Sequence, residues 1–187
     1  MNDVWELMAA RRHTGLRRLA APAPDDAALM RMMDAAAQAP DHGLLRPWRF
    51  VLIPPARRAD LGAVFEAALV AKQPDADPEA RAAAREKAQH APCLLVAILV
   101  DAPGTAIPAE EKLVSLGCAL QNVLLAAQAL GFASGLASGG ALGSPGMRDL
   151  LGLAPHERAV CFVGIGTPSK TKTPRERPQP EAFFSSL

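Results

Sequence analysis

The sequence contains few aromatic residues and few cysteines. Only 4% of its 187 residues are aromatic, tyrosine is absent, and there are three cysteines. The core must therefore be aliphatic, and a hydrophobic content of 50% is enough to supply one for a single domain of this length. Cys93, Cys118 and Cys161 each lie in an apolar segment with no C-x-x-C spacing. We expect buried thiols there, with a metal site or a catalytic cysteine as the less favoured alternative.

The net charge is only +1, the first residues do not resemble a secretory leader, and no apolar run of membrane length is uninterrupted. Twenty Lys and Arg balance nineteen Asp and Glu, which argues against a protein that binds nucleic-acid phosphates. The longest apolar stretch, residues 113–130, is interrupted by polar side chains. The first residues are acidic and apolar rather than basic. We therefore expect a cytoplasmic protein with neither a membrane nor a nucleic-acid partner.

Sequence motifs for hydrolysis and phosphoryl transfer are absent as well. The chain has no G-x-S-x-G elbow, no P-loop, no H-E-x-x-H pair and no EF-hand loop. We expect no metal ligands and no protein nucleophile.

Hydrophobic patterning predicts six helices and four strands in a single domain spanning residues 1–187. The helices are predicted near residues 3–10, 25–39, 55–71, 79–89, 110–130 and 144–151, and the strands near 48–53, 93–100, 132–140 and 159–166. Four prolines in residues 167–187 indicate an extended C-terminal tail, with Phe183 and Phe184 expected to anchor it to a surface.

The longest predicted helix carries apolar residues nearly all the way round. Such a helix must be buried on every side. Either it lies centrally beneath the sheet or it packs against a second copy of the chain. The two possibilities are compatible, and we favour a homodimer.

Basic residues at both ends of the chain could converge on one small anion. Arg11 and Arg12 follow the first helix directly, and paired guanidiniums can hold a phosphate while His13 and the next hydroxyl add contacts. Lys170 and Lys172 in the tail could reach the same anion. The alternatives are that the arginines only complement the negative end of the first helix, and that the lysines belong to a solvated tail.

Two loops between predicted elements carry further candidate residues. Residues 39–50, A-P-D-H-G-L-L-R-P-W-R-F, place His42 and Arg46 between a helix and a strand, although His42 could equally be structural. Residues 134–140, S-G-L-A-S-G-G, have glycines that let a backbone approach a planar ligand. That second run is not a dinucleotide-binding fingerprint.

In this order, the segments resemble the nitroreductase family, and within it the small YdjA-like branch. The specific match is A-P-D-H-G-x-x-R-P-W-R-F at residues 39–50; the early arginine pair, the G-F-x-x-x-L-x-S-G run at 131–139 and the G-I-G-T-P segment agree with it. The sequence departs from the family pattern where His13 replaces Ser and where Leu136-Ala137 replaces Trp-Arg.

The resemblance implies a homodimeric α+β flavoprotein, a three-layer α-β-α sandwich with a mainly antiparallel central sheet and a long buried central helix. It implies FMN at the dimer interface, with NADH or NADPH as co-substrate. The implied FMN contacts fall on four parts of the chain: Arg11, Arg12 and His13; His42 and Arg46, from the partner; Leu136, Ala137 and Ser138; and Lys170 or Lys172.

The implied activity is reduction of nitroaromatic or quinone-type acceptors by ping-pong hydride transfer. Because the flavin carries the electrons, no catalytic protein side chain is required. Two alternatives stay open: a non-catalytic FMN-binding or sensing protein, and other flavin chemistry such as reductive dehalogenation or flavin fragmentation.

Overall fold

The computed structural model of the chain describes residues 3–101, 103–170, 173 and 176–187. Within them the α-helices are α1 (Val4–Ala10), α2 (Asp26–Ala36), α3 (Arg58–Lys72), α4 (Pro78–Glu86), α5 (Ala109–Ala129) and α6 (Pro145–Leu151). The strands are β1 (Leu19–Ala20), β2 (Trp48–Leu52), β3 (Cys93–Val100), β4 (Ala133–Ala137) and β5 (Glu157–Pro168). Short 3₁₀ helices cover Leu16–Arg18, His42–Leu44, Pro55–Arg57, Lys87–Gln89, Gly140–Gly143 and Pro180–Ala182.

All five strands pair antiparallel in one sheet, and the longest strand, β5, joins most of it together. One edge of β5 pairs with β3, which in turn pairs with β2. The other edge pairs first with β4 and then with β1. In the last of these ladders Leu19 lies opposite Pro168, so the N-terminal segment and the start of the predicted tail meet. The tail boundary predicted at residue 167 therefore falls inside β5.

Helices cover both faces of the sheet, and β3 shows why. Its eight residues form a continuous apolar run, and side chains along a strand alternate between the two faces. Leu95, Ala97 and Leu99 enter a core shared with α2 and α5, whereas Leu94, Val96 and Ile98 enter a second core shared with α3 and α6. This arrangement confirms the predicted α-β-α sandwich with a mainly antiparallel sheet.

Helix α5 buries one side against the sheet and leaves part of the other exposed. Leu116, Ala119 and Val123 are fully buried beneath the sheet. Near the start of the same helix, Val114 remains 66% exposed and Leu113 is also accessible. Burial on every side is therefore not achieved within one chain.

Capping residues set several of the helix boundaries that the sequence predicted. Asp25 accepts a hydrogen bond from the backbone N–H of Ala28, and Ser144 accepts one from Met147 at the start of α6. After α5, Gly131 adopts a left-handed conformation with φ of 86°.

The end of the chain differs from its prediction. Phe183 and Phe184 are 72% and 73% exposed, so they do not anchor the tail on this chain.

Among the described residues, no helix is both long and apolar enough to cross a membrane. That same part of the chain contains no group of three or more His, Cys, Asp or Glu placed to hold a metal ion.

Candidate functional site

A cavity of about 820 Å³ opens on the face of the sheet that carries α3 and α6. Its floor is apolar and includes Leu69, Leu94, Phe65 and Phe162. The last two rings meet edge to face, with their centroids 5.5 Å apart. A volume of this size suits a cofactor or drug-sized molecule.

The cavity rim is basic. Arg17, Arg18, Lys72 and Lys87 line it together with the imidazoles of His13 and His90. No carboxylate is found among the described lining residues. The result is an apolar pocket with a positive rim, which attracts planar molecules that carry negative charge.

The pKa of His90 is lowered by its burial and by this positive surrounding. Burial lowers it most, and the charges of Arg17 and Lys87 lower it further, against an opposing effect of Glu86. The imidazole is therefore held neutral to a lower pH than an ordinary histidine.

One glycine brings two of the predicted segments together. The N–H of Thr14 donates to the carbonyl of Ser134 at 2.9 Å, so the segment after α1 lies alongside β4. A Cβ on Gly135 would overlap the carbonyl of Thr14, which makes glycine necessary at that position. The close approach predicted for this glycine thus serves the chain's own backbone, and it places His13 at the cavity.

Of the three residues predicted to contact FMN at the end of β4, two face the cavity and one does not. Ala137 and Ser138 line it, whereas the side chain of Leu136 packs against the core on the opposite face of the sheet. Leu136 therefore has only its backbone to offer a ligand in the cavity.

The arginine pair does not line the cavity and forms a separate basic cluster with Arg177 of the tail. Burial lowers the pKa of Arg11 most, and the guanidiniums of Arg177 and Arg12 lower it further. Arg12 also donates to the carbonyls of Ala9 and Arg11. Among the described residues, no carboxylate forms an ion pair with any of the three arginines. An anion bound at this cluster would relieve the mutual repulsion.

The predicted tail lysines are less informative. Lys170 is exposed and follows Ser169, whose N–H donates to the carbonyl of Arg18 at 2.9 Å. The tail therefore starts next to the basic rim. Lys172 lies outside the described residues.

His42 and Arg46 do not line the cavity of their own chain. They precede Trp48, which pairs with Leu99 near the end of β3, whereas the cavity includes Leu94 near the start of that strand. Five residues of strand span roughly 16 Å. The structure therefore separates this loop from the cavity within one chain.

The sequence did not single out several basic residues of the site. They are Arg17, Arg18, Lys72, Lys87, His90 and Arg177. The second arginine pair at 17–18 and the Lys-x-x-His spacing before β3 were the available signals, but they resemble ordinary surface charges until the fold brings them together.

Comparisons with known proteins agree with this architecture. The model of the nitroreductase family matches residues 9–167. The chain belongs to the nitroreductase family. Among its relatives, YdjA of Escherichia coli strain K12, named as an NAD(P)H nitroreductase, is 32% identical over 184 residues, which cover 98% of each chain.

Two solved structures show the same nitroreductase fold. A nitroreductase-like protein from Bacillus cereus superposes with a TM-score of 0.83 at 20% identity, covering 100% of this chain and 97% of the other. A mutant of the FMN and NADPH-dependent nitroreductase NfnB from Sphigopyxis sp. strain HMH gives 0.78 at 20% identity, covering 99% of both.

Proposed function

We propose that this protein is an FMN-dependent oxidoreductase that uses NADH or NADPH to reduce nitroaromatic or quinone-type acceptors. The observation that carries the proposal is the apolar cavity with a basic rim, which His13 lines directly after the Arg11-Arg12 pair in sequence. An aromatic molecule with an anionic end fits both features. The activity in the name of YdjA and the cofactors in the name of NfnB agree with this chemistry.

Arg11 and Arg12 would hold the FMN phosphate, together with Arg177. Guanidiniums bind phosphate oxygens through charge-assisted and often bidentate hydrogen bonds. Burial lowers the pKa of Arg11 most, and the nearby charges of Arg177 and Arg12 lower it further. Lys170 and Lys172 remain candidates for a further contact from the tail.

The cavity would hold the rest of the cofactor. When bound, FMN supplies a ring system that takes up hydride from NADH or NADPH and passes it to an acceptor. The aromatic floor of Phe65 and Phe162 would exclude water from one side of this ring. Lys87 and Arg17 on the rim would stabilise negative charge that develops there, while His13, Ala137 and Ser138 would supply polar and backbone contacts.

We further propose that a homodimer completes the site. Val114 and Leu113 on α5 are exposed, as are Trp5 and Met8 on α1. Exposed apolar side chains on these two helices favour a subunit interface. A second copy would also supply His42 and Arg46, which lie roughly 16 Å along the sheet from the cavity of their own chain.

In keeping with the three free thiols, we propose a cytoplasmic location.

Flavin spectroscopy tests the proposal directly. The purified protein is mixed with excess FMN, desalted, and examined for bound yellow chromophore. Under anaerobic conditions NADH or NADPH should bleach it, and menadione or a nitroaromatic should restore the colour. Failure to retain FMN would overturn the cofactor assignment.

Initial-rate kinetics and product analysis separate the remaining alternatives. If both substrates use one face of the cofactor in turn, double-reciprocal plots should run parallel. Binding without bleaching would favour a sensor. Release of halide, or destruction of the flavin, would favour the other chemistries.

A further inference from the structure

The side chain of His42 is held by a carboxylate from α5. Its Nδ1 lies 2.7 Å from Oε2 of Glu111, which stands in the first turn of that helix. An ionised carboxylate can only accept hydrogen bonds, so Nδ1 must carry the proton. In the neutral ring, Nε2 then carries the lone pair.

A second hydrogen bond from the same face of α5 fixes the same loop. Ser115 lies four residues after Glu111, so the two side chains project from one side of the helix. The Ser115 hydroxyl accepts a hydrogen bond from Nε1 of Trp48 at 3.1 Å. Helix α5 therefore binds the loop at both its beginning and its end.

The loop between these two points has a costly backbone conformation. Gly43, Leu44 and Arg46 have φ values of 70°, 55° and 47°. The Asp41 carboxylate stabilises the turn by accepting the N–H of Arg46 at 2.7 Å. Because Leu44 is 78% exposed, the conformation does not serve to bury that side chain. Backbone strain that is not compensated by core packing is typical of a segment whose conformation is required for function.

We propose that Glu111 is a positioning residue, which orients the His42 imidazole so that Nε2 faces outward as a hydrogen-bond acceptor for a donor group of the bound flavin. This inference rests on the proposed function, in which His42 reaches the cofactor pocket of the second copy. Glu111 acts only through His42 and contacts no reactant.

NMR of the ¹⁵N-labelled full-length protein without FMN tests the orientation. The chain has four histidines, and loss of signals in His42→Gln assigns the relevant ring. At a pH where the ring is neutral, the wild type should show the Nδ1–H tautomer. Glu111→Ala should shift it toward the Nε2–H form. Glu111→Gln should retain Nδ1–H, because the amide oxygen still accepts.

Glu110 provides a matched control. It is the neighbouring glutamate in the same first turn of α5, and no hydrogen bond joins it to the described residues of the loop. Glu110→Ala should leave the His42 tautomer unchanged. A wild-type ring in the Nε2–H form would overturn the inference.

FMN titrations then test whether the orientation matters. Glu111→Ala and His42→Ala should each raise the FMN dissociation constant about tenfold, the effect of losing one hydrogen bond, while Glu110→Ala should not. The double variant should bind no more weakly than His42→Ala alone. Additive losses, or unchanged affinity in Glu111→Ala, would overturn the positioning role. If the wild type does not bind FMN, the proposed function fails, whereas the tautomer measured without ligand still decides the orientation claim.

Discussion

Two partly or fully buried arginines, Arg11 and Arg58, differ in how their charge is compensated. Arg11 is half-buried next to two other guanidiniums, an arrangement that costs free energy unless an anion is present. Arg58 shows the opposite solution: it is buried and donates to the carbonyls of Ile53, Ala88, His90 and Ala91. Its guanidinium is thus used to hold backbone carbonyls within the core.

Replacing Arg11 with Ala should weaken FMN binding. Loss of charge-assisted hydrogen bonds to a phosphate is worth about 1.5–3 kcal/mol, which corresponds to one to two decades in dissociation constant. Fluorescence quenching of FMN measures the change, and Arg12→Ala should behave similarly. Arg31→Ala, an exposed arginine on α2, is the control. Wild-type affinity in both site variants would refute the phosphate assignment.

The charge of Arg17 should have a measurable effect on the pKa of His90. Because Arg17 lowers the pKa of His90, Arg17→Ala should raise that pKa, as measured by an NMR titration without ligand. The unfolded chain takes up this proton near the ordinary value of 6.5, before the folded chain does. The free energy of unfolding therefore falls as the pH drops below about 6.5, and it should fall less in Arg17→Ala. An unchanged titration curve would contradict the account of the basic rim.

At the scale of elements, prediction succeeded where local pattern decides the outcome. Strand β3 begins and ends where expected, because an eight-residue apolar run between Pro92 and Asp101 is typical of a strand covered on both faces. Strand β1 was missed, since a two-residue strand leaves no periodic signal. Strand β5 extends beyond its apolar centre because its ends are defined by pairing partners distant in sequence.

The same distinction applies to the site. Arg11, Arg12 and the loop around His42 could be singled out because each belongs to a compact motif. Lys87, His90 and Arg177 could not, because only the folded chain brings them near residues from other segments.

An ion pair across the sheet makes an element-scale prediction. Arg49 on β2 donates two hydrogen bonds to Glu157 on β5, at 2.7 and 2.8 Å, across the intervening β3. These bonds lower the pKa of Glu157 from 4.5 to about 2. The stabilisation is therefore present above about pH 4.5 and is lost as the pH falls towards 2.

Glu157→Gln should cost about 1–2 kcal/mol of unfolding free energy at neutral pH. It should also flatten the acid dependence between these two pH values. Urea denaturation at a series of pH values measures both effects. The exposed ion pair between Arg57 and Asp60 offers a control. Asp60→Asn should change the free energy of unfolding and its acid dependence little. A variant with the wild-type acid profile would show that the pair contributes nothing.

At the scale of the whole molecule, the exposed side of α5 predicts self-association. A charge placed at Val114 should oppose burial of that face, so Val114→Arg should shift the protein from dimer to monomer in sedimentation experiments. FMN retention should fall with it, since the second copy completes the proposed site. Leu52→Arg, an exposed apolar position on β2, should remain dimeric. A monomeric wild type that keeps its flavin would contradict the dimer proposal.

The position of β5 in the chain has a consequence for biosynthesis. This strand contacts β3 and β4 and closes the sheet onto β1, yet it ends at Pro168 of 187 residues. On the ribosome, the two hydrophobic cores therefore cannot close until residues 157–168 have been synthesised. A chain that stops before residue 157 should therefore leave β3 and β4 without the strand that joins them, and the sheet should not form.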